Sequence, residues 1–526
     1  MISKISGCPW WWEDGHENKV IGVVVSVVVA VLVASWYVIR RSRCNRELQL
    51  PPGPRGLPLV GNLLSLEADL HVYFAKLAKV YGPIMKLQMG RKCCVVVSSS
   101  SLAKEVLRDQ DATFANRDAL ISTLVFTYGG IDIVWSPSNP EWRTLRKICT
   151  QELLSHTNLD SCYALRRKEV RQTVRDLYHH KIDTPVNVGV QVFVTILNVM
   201  MSMLWGGTLQ GEERTRVGGE FQQMFNAMIE VASKPNVSDL FPVLRWFDIQ
   251  GIERQSKMLL GWMERIFDSV IDQHMKMDKA NQAHKESKDF LQCLLKLVEQ
   301  QDAKTHITMT QLKALLMDMV VAGTDTTSTT LEWVMAEMMQ KPETMRKAQE
   351  ELKEVVGMNN MVEESHLSKL QYLDAVVKET LRLHPPGPLL IPRRPSSSST
   401  IGGYTVPKVA TVFCNVWEMH RDPEVWDEPL DFQPERFLTS DLEKYDYRGN
   451  NFNYLPFGSG RRVCVGIPLA ERMITYVLAS LLHSFEWRLP EGTKLDLTEK
   501  FGIVLRKSTP LVAIPTPRLL NLELYN

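Results

Sequence analysis

Residues 20–39 contain no charged side chain and are dominated by valine. About 20 apolar residues are enough for a helix to cross the hydrocarbon core of a bilayer, so this run splits the chain into an anchor and a body. Trp10, Trp11 and Trp12 precede it, and Trp36 and Tyr37 close it, as expected of rings that settle at a membrane interface. Arg40, Arg41, Arg43 and Arg46 follow, whereas Glu13, Asp14 and Glu17 offset Lys4 and Lys19 upstream. The positive-inside rule then makes residues 1–19 lumenal, residues 20–39 a transmembrane signal anchor, and the body cytosolic. A cleaved signal peptide would carry a shorter apolar core behind a basic region. A buried core helix would rarely be so rich in valine over this length.

This orientation bears on the nine cysteines, most of which it places in reducing cytosol, where a disulfide framework is not expected. Asn236-Val237-Ser238 matches a glycosylation acceptor, but on the cytosolic side it would not be modified. With 61 basic and 60 acidic residues the net charge is +1, so no bulk electrostatic case for nucleic acid exists.

Residues 40–58 form a basic, proline-rich hinge. Pro51-Pro52-Gly53-Pro54-Arg55-Gly56-Leu57-Pro58 cannot sustain a helix and reads as a stiff connection, or equally as an ordinary linker. Beyond it helical patterns dominate, with short strand-like pieces at 93–97 and 412–416. Residues 276–289 are polar and read as an exposed loop. No second composition regime or internal repeat appears, so residues 59–526 are read as one domain. Within it, Thr308 and Gln311 fit a capping box opening a helix that runs to about Gln340, where Lys341-Pro342 stops it. Ala322-Gly323-Thr324-Asp325-Thr326-Thr327 lies near the middle of that helix. Glycine and hydroxyl residues there weaken it, which hints at a function or at a packing kink.

The most specific pattern is Phe457-Gly458-Ser459-Gly460-Arg461-Arg462-Val463-Cys464-Val465-Gly466, F-x-x-G-x-R-x-C-x-G. Its glycines permit tight turns and close approach to a flat cofactor, and backbone N–H groups near a sulfur can stabilise its thiolate. A single cysteine is more often inert and buried, but the surrounding pattern favours ligation. At these residues the chain resembles the cytochrome P450 family, over essentially its whole length after the anchor. The resemblance implies a mainly α fold with small β-sheets, the cytochrome P450 fold preceded by a single transmembrane helix. It also implies heme b (iron-protoporphyrin IX) with Cys464 as axial thiolate and metal ligand, and Phe457 and Arg462 as cofactor contacts.

Other segments carry the same resemblance. Glu379-Thr380-Leu381-Arg382 and Pro434-Glu435-Arg436-Phe437 look like the family's structural triad, which assigns Glu379, Arg382 and Arg436 to fold integrity. Trp142 and Arg146, four apart on one helical face, match a W-x-x-x-R pattern that reaches a heme propionate. Arg393 is a third propionate candidate, with adjacent Arg394 left open. The 322–327 segment resembles one that passes over the heme face opposite Cys464, where Asp325 and Thr326 would deliver protons through water. Asp118, Ser138-Asn139-Pro140 and Val409 depart from the common plant pattern, which bears on substrate fit and local loops.

No G-x-G-x-x-G stands at a strand-to-helix boundary, so electrons must come from another protein. The resemblance implies an NADPH–cytochrome P450 reductase, with cytochrome b5 as a further donor, in the endoplasmic reticulum membrane. Lys147 and Arg461 are docking candidates. The expected partners are therefore that reductase, dioxygen, a small hydrophobic substrate and membrane lipid through the N-terminal helix. Segments 121–126, 315–321, 388–391 and 501–504 are candidate pocket walls. The expected activity is NADPH- and dioxygen-dependent hydroxylation of a plant specialised metabolite. A terpenoid (monoterpenoid or sesquiterpenoid) is the first reading, and a flavonoid or other phenylpropanoid the alternative. An oxygen-independent isomerase or dehydratase, and a non-enzymatic heme sensor, are the competing classes.

Overall fold

The computed structural model describes residues 23–29, 31, 32, 35, 49–208, 211–280, 289–299, 306–438 and 445–526. Half of the expected anchor, its orientation signals and the start of the hinge lie outside them. Residues 23–29 are helical, and their valines are exposed. A second apolar helix, Val188–Trp205, is also long enough to span a bilayer. It is almost wholly buried and packs along the central helix Met309–Gln340, so it serves as core.

The central helix begins where its capping box predicts. Gln311 N–H donates to Thr308 Oγ1 at 3.2 Å, and Thr308 N–H donates to Gln311 Oε1 at 2.8 Å. It runs unbroken to Gln340, and Pro342 starts the next helix. Its polar middle is compensated locally. Thr326 Oγ1 donates to Ala322 O at 2.6 Å, Ser328 Oγ to Asp325 O at 3.1 Å and Thr330 Oγ1 to Thr326 O at 2.9 Å. Gly323 has a packing reason as well, because a Cβ there would sit 3.0 Å from Met200 Cε of Val188–Trp205.

A five-stranded sheet lies at one edge: β1 (Ile84–Met89), β2 (Lys92–Val97), β3 (Asn116–Arg117), β4 (Arg393–Arg394) and β5 (Thr411–Cys414), in the order β1-β2-β5-β4-β3. β2 contains the expected strand at 93–97. The second expected strand stops early, because Asn415 caps a short helix, Val416–Met419, by accepting from Glu418 N–H at 3.3 Å. The proline-rich stretch is fastened to this sheet, with Lys86 N–H donating to Pro52 O at 2.7 Å. Gly53 lies so close that a Cβ would come within 2.0 Å of Lys86 O. Residues 276–280 continue the helix Ile252–Ala280 rather than opening a loop, and Asp289 is tied back to His274 at 2.8 Å.

The departures from the plant pattern do local work. Asp118 joins β2 to β5 by accepting from Lys92 Nζ at 2.7 Å and Thr411 Oγ1 at 2.6 Å. Asn139 caps the helix Pro140–Ile148 by accepting from Trp142 N–H at 2.8 Å, with Pro140 at its first turn. Glu379 is fully buried between Arg382 at 2.7 Å and Arg436 at 3.1 Å. Arg382 also holds the carbonyls of His420, Pro429 and Asp431, joining Gln371–Leu383 to the segment before the cysteine loop. Asn236 of the glycosylation pattern is buried and caps Val237–Leu240.

Candidate functional site

The cysteine loop folds as its glycines require. Gly458 and Gly460 have φ of 70° and 71°. A Cβ at Gly460 would lie 2.0 Å from Leu107 O, so no other residue fits between the loop and the segment beside it. Cys464 N–H donates to Phe457 O at 3.1 Å, closing the loop. Gly466 N–H then points back at Cys464 Sγ, at 3.3 Å, just before the helix Ile467–Ser484 begins. Burial pushes the Cys464 thiol up from its ordinary value; the Gly466 N–H, the Arg146 guanidinium and the Ile467 N–H oppose it. These are the groups that favour a sulfur anion.

Cys464 opens onto a cavity of about 390 Å³ that is also lined by the middle of the central helix, including Ala322, Asp325 and Thr326. Both groups named for proton delivery therefore face the chamber that the sulfur faces. Asp325 is buried and ion-paired to Arg506, which also reaches Asn226 on Gly211–Ser233. Its Oδ2 has no hydrogen-bond partner among the described residues. Burial raises the Asp325 pKa, and Arg506 opposes that rise. Sequence reasoning missed Arg506, since nothing local marks a residue 181 positions away as the partner of that acid.

Four arginines converge on the chamber: Arg117, Arg146, Arg393 and Arg462. Arg393 points inward, while Arg394 is exposed, which separates the two. Arg393 Nη2 donates to Ser459 O at 2.9 Å, but its buried Nη1 has no partner among the described residues. Arg146 Nη2 donates to Val463 O at 2.5 Å. Arg462 is held by the carbonyls of Ala115, Ile133 and Ser136 and lies 4.0 Å over the Trp142 ring. The donors of Trp142 and Arg462 are thus engaged by backbone, whereas Arg393 has one to spare. Arg117, in the Phe114-Ala115-Asn116-Arg117 stretch, was not singled out as a site residue. It donates to Val134 O at 3.1 Å and Ile391 O at 2.6 Å.

Burial depresses all four guanidinium pKa values, and neighbouring arginines add to this at two of them; Arg462 is brought down to about 9 and Arg117 lies well below its ordinary value. Asp132 is the acid that faces them. A concentrated positive cluster with an unused buried donor suits an incoming dianion. Iron-protoporphyrin IX, with two propionates and an iron for the sulfur, fits the residues present.

The expected pocket segments contribute some of their residues rather than whole stretches. Thr123 and Phe126, then Met317, Asp318, Met319 and Val321, face the chamber, whereas Leu315, Leu316 and Val320 are buried outside its lining. Leu390, Ile391, Ile503 and Val504 line it, while Phe501 instead stacks on His71. The further wall came from helices the sequence did not mark: Ile196 and Met200, with Met228, Ile229 and Ala232.

A family model described as cytochrome P450 matches residues 51–514. A geraniol 8-hydroxylase of Swertia mussotii is 42% identical over 90% of this chain and 94% of its own. A flavonoid 3'-monooxygenase of Crocosmia x crocosmiiflora is 40% identical over 94% and 97%. A solved zebrafish cytochrome P450 with progesterone superposes with a TM-score of 0.73 at 27% identity, covering 85% of this chain and 99% of that one.

Proposed function

Since this chain belongs to the cytochrome P450 family and is a heme-thiolate monooxygenase, we propose that Cys464 ligates the iron and that the chamber hydroxylates a terpenoid. The observation that carries this reading is one cavity lined both by a sulfur and by an acid–alcohol pair from the central helix. Heme b, when bound through a thiolate, supplies the dioxygen activation and C–H oxidation that side chains cannot. Trp142, Arg146, Arg393, Phe457 and Arg462, with Arg117, form its seat, and the arginines neutralise its propionates. The Gly466 N–H holds charge on the sulfur. Thr326 and Asp325 carry protons into the groove, with Asp325 Oδ2 as the carboxylate oxygen open to a new partner.

The substrate reading rests on the wall chemistry. Ile196, Met200, Met228, Ile229, Leu390 and Ile503 are flexible or branched aliphatic groups, with Phe126 among the few rings. They suit an aliphatic skeleton better than a flat polyphenol, which gains from stacking and fixed hydrogen bonds. Geraniol hydroxylation by the Swertia relative points the same way, and the flavonoid-oxidising relative keeps the alternative specific.

A monooxygenase of this kind needs a reductase, dioxygen and substrate. We assign the donor to NADPH–cytochrome P450 reductase, with cytochrome b5 as a second donor. The body, residues 59–526, faces the cytosol from a single-pass anchor in the endoplasmic reticulum membrane. Support for a membrane-facing side comes from Trp246, 93% exposed, with Val243, Phe247 and Ile249 beside it. This segment follows Leu240, whose carbonyl accepts from Arg91 N–H at the β1–β2 turn, near exposed Leu59 and Leu64.

Membranes carrying the full chain, a plant reductase and NADPH, incubated with monoterpene alcohols, sesquiterpenes and flavonoids, test the substrate. Hydroxylated terpenoids are expected; oxidation of flavonoids alone would replace the first reading with the second. A reduced carbon monoxide difference spectrum tests the thiolate independently of substrate.

A further inference from the structure

Two buried carboxyl groups meet at the edge of the chamber, and neither belongs to the proton-delivery pair. Asp132 is fully buried in the segment between the helices Ile121–Phe126 and Pro140–Ile148. It accepts from the backbone N–H groups of Val134 at 3.2 Å, Trp135 at 3.0 Å and Ser136 at 2.9 Å. Asp318 is buried on the central helix and accepts from Ile133 N–H at 2.9 Å. The two carboxyl groups thus accept from consecutive backbone amides, Ile133 and Val134, which brings them together in the interior. Two ionised carboxylates packed side by side in a dry interior repel strongly, so this arrangement favours one proton between them.

The surroundings decide which oxygen holds it. Burial raises the pKa of Asp132 as well, but its three amide donors oppose that rise, and it faces the guanidinium groups of Arg117 and Arg462, which favour its anion. Asp318 has one amide donor, and the other titratable group facing it is the buried thiol of Cys149, itself beside Arg146. Asp318 is therefore the neutral acid and the donor. Burial and the neighbouring carboxylate push its pKa well above the usual range, in keeping with that assignment.

The segment it grips is a hub. Ile133 O accepts from Trp142 Nε1 at 3.0 Å and from Arg462 Nη1 at 3.2 Å; Val134 O accepts from Arg117 Nε, and Ser136 O from Arg462 Nη2. Three side chains of the heme seat thus hang on the carbonyls of three residues within 133–136, and Asp318 and Asp132 tie that stretch to the central helix. The geometry points to Asp318 as a positioning residue for the heme, a neutral acid that latches the 132–136 segment through Asp132 and so sets the arginine and tryptophan contacts. This rests on the heme-thiolate reading but concerns a different property, how tightly the seat holds.

The test uses full-length holoenzyme in detergent with Asp318→Asn, Asp318→Leu and Asp132→Asn. An asparagine can still donate to Asp132 and accept from Ile133 N–H; leucine can do neither. Infrared spectra at neutral pH should contain a protonated carboxyl C=O band that Asp318→Asn removes. Heme transfer to an apo-globin acceptor should stay within about threefold of wild type for Asp318→Asn. It should accelerate roughly tenfold to a hundredfold for Asp318→Leu, the range seen when groups behind a metal site are removed. Asp132→Asn should also accelerate it, and adding Asp318→Asn to that variant should change little more, since the pair acts as a unit. The proposal is overturned if wild type lacks a band that Asp318→Asn removes, or if asparagine releases heme as fast as leucine. Should Asp318→Leu not fold, the infrared comparison of wild type with asparagine still decides. A failed carbon monoxide spectrum in wild type would instead sink the heme-thiolate reading itself.

Discussion

The cysteine loop and the chamber above it are held together in opposite ways. Residues 457–466 are one stretch whose turns, closing hydrogen bond and Gly466 donor to the sulfur are internal, with Arg146, Arg393 and Arg462 then tying that preformed loop to its surroundings. The chamber wall is assembled from at least six separate stretches, and its acid is paired with a residue 181 positions away. A local site of the first kind is rigid because its geometry is fixed by short-range turns. A site of the second kind can be altered by substitutions far from it in sequence. The difference separates the metal's ligand from everything presented to it: the loop sets what the iron can do, and the wall sets which molecule and which protons reach it.

The largest test of that division is Cys464→Ser. Loss of the thiolate should abolish the thiolate form of the carbon monoxide complex. Turnover should fall by at least about a thousandfold, roughly 4 kcal/mol of barrier. Full oxygen-dependent activity in the serine variant would break the assignment of the loop to chemistry. On the chamber wall, Asp325→Asn should leave heme binding and the carbon monoxide spectrum intact. Product formation should drop by about a hundredfold, the usual scale for losing a positioned proton donor. NADPH oxidation should continue with hydrogen peroxide as the product. Equal loss of product and NADPH oxidation would mean that Asp325 acts before proton delivery.

The same division explains what the sequence disclosed. The loop was readable because its constraints are local: a glycine at φ 71° against a carbonyl, an N–H on a sulfur two residues away. The central helix was readable for the same reason, its capping box and terminal proline being signals within one turn. The strand expected at 412–416 failed at its end because alternating valines hid a capping asparagine, Asn415. The chamber was readable only in part. Apolar runs such as 315–321 do not disclose which residues face a cavity until the helix is turned against its neighbours. Met200 and Met228 resemble ordinary core, and Arg506 lies in a short hairpin that nothing local connects to Asp325. Arg117 was missed because it sits in a two-residue strand, too short for any local pattern to show that its side chain faces a cavity.

Arg506→Gln probes a contact that only the folded chamber reveals, and its effect should be smaller than that of Asp325→Asn. The sign follows from the two influences on Asp325. Burial raises its pKa and Arg506 holds it down, so removing the guanidinium lets it rise further. Asp325 would then be protonated to higher pH, and the acid limb of product formed per NADPH should move upward. At neutral pH a several-fold loss of coupling is expected, on the scale of a partly buried ion pair. An acid limb that stays in place would make Arg506 a structural strut between Asn226 and the central helix. The loop would be indifferent in either case, so its carbon monoxide spectrum is the internal control.

The smallest effect concerns the outer side of the helix Pro140–Ile148, which belongs to both regions. Trp142 and Arg146, four apart, face the interior, with Arg146 lining the chamber, while Arg143 and Lys147, also four apart, are exposed. On the proposed reading, one helix would offer a cation to a propionate and, on its back, a basic surface to the reductase. Arg461 is a weaker docking group than its exposure suggests, because its guanidinium already pairs with Asp111 at 3.2 Å. Lys147→Glu should thus raise the reductase concentration needed for half-maximal turnover by about threefold at low salt, more than Arg461→Gln does. The difference should vanish as salt shortens the Debye length to about 3 Å near 1 M. Heme spectra should be unchanged in both variants, since neither side chain faces the chamber. A larger effect from Arg461→Gln, or one that salt does not remove, would place the electron donor elsewhere on the protein.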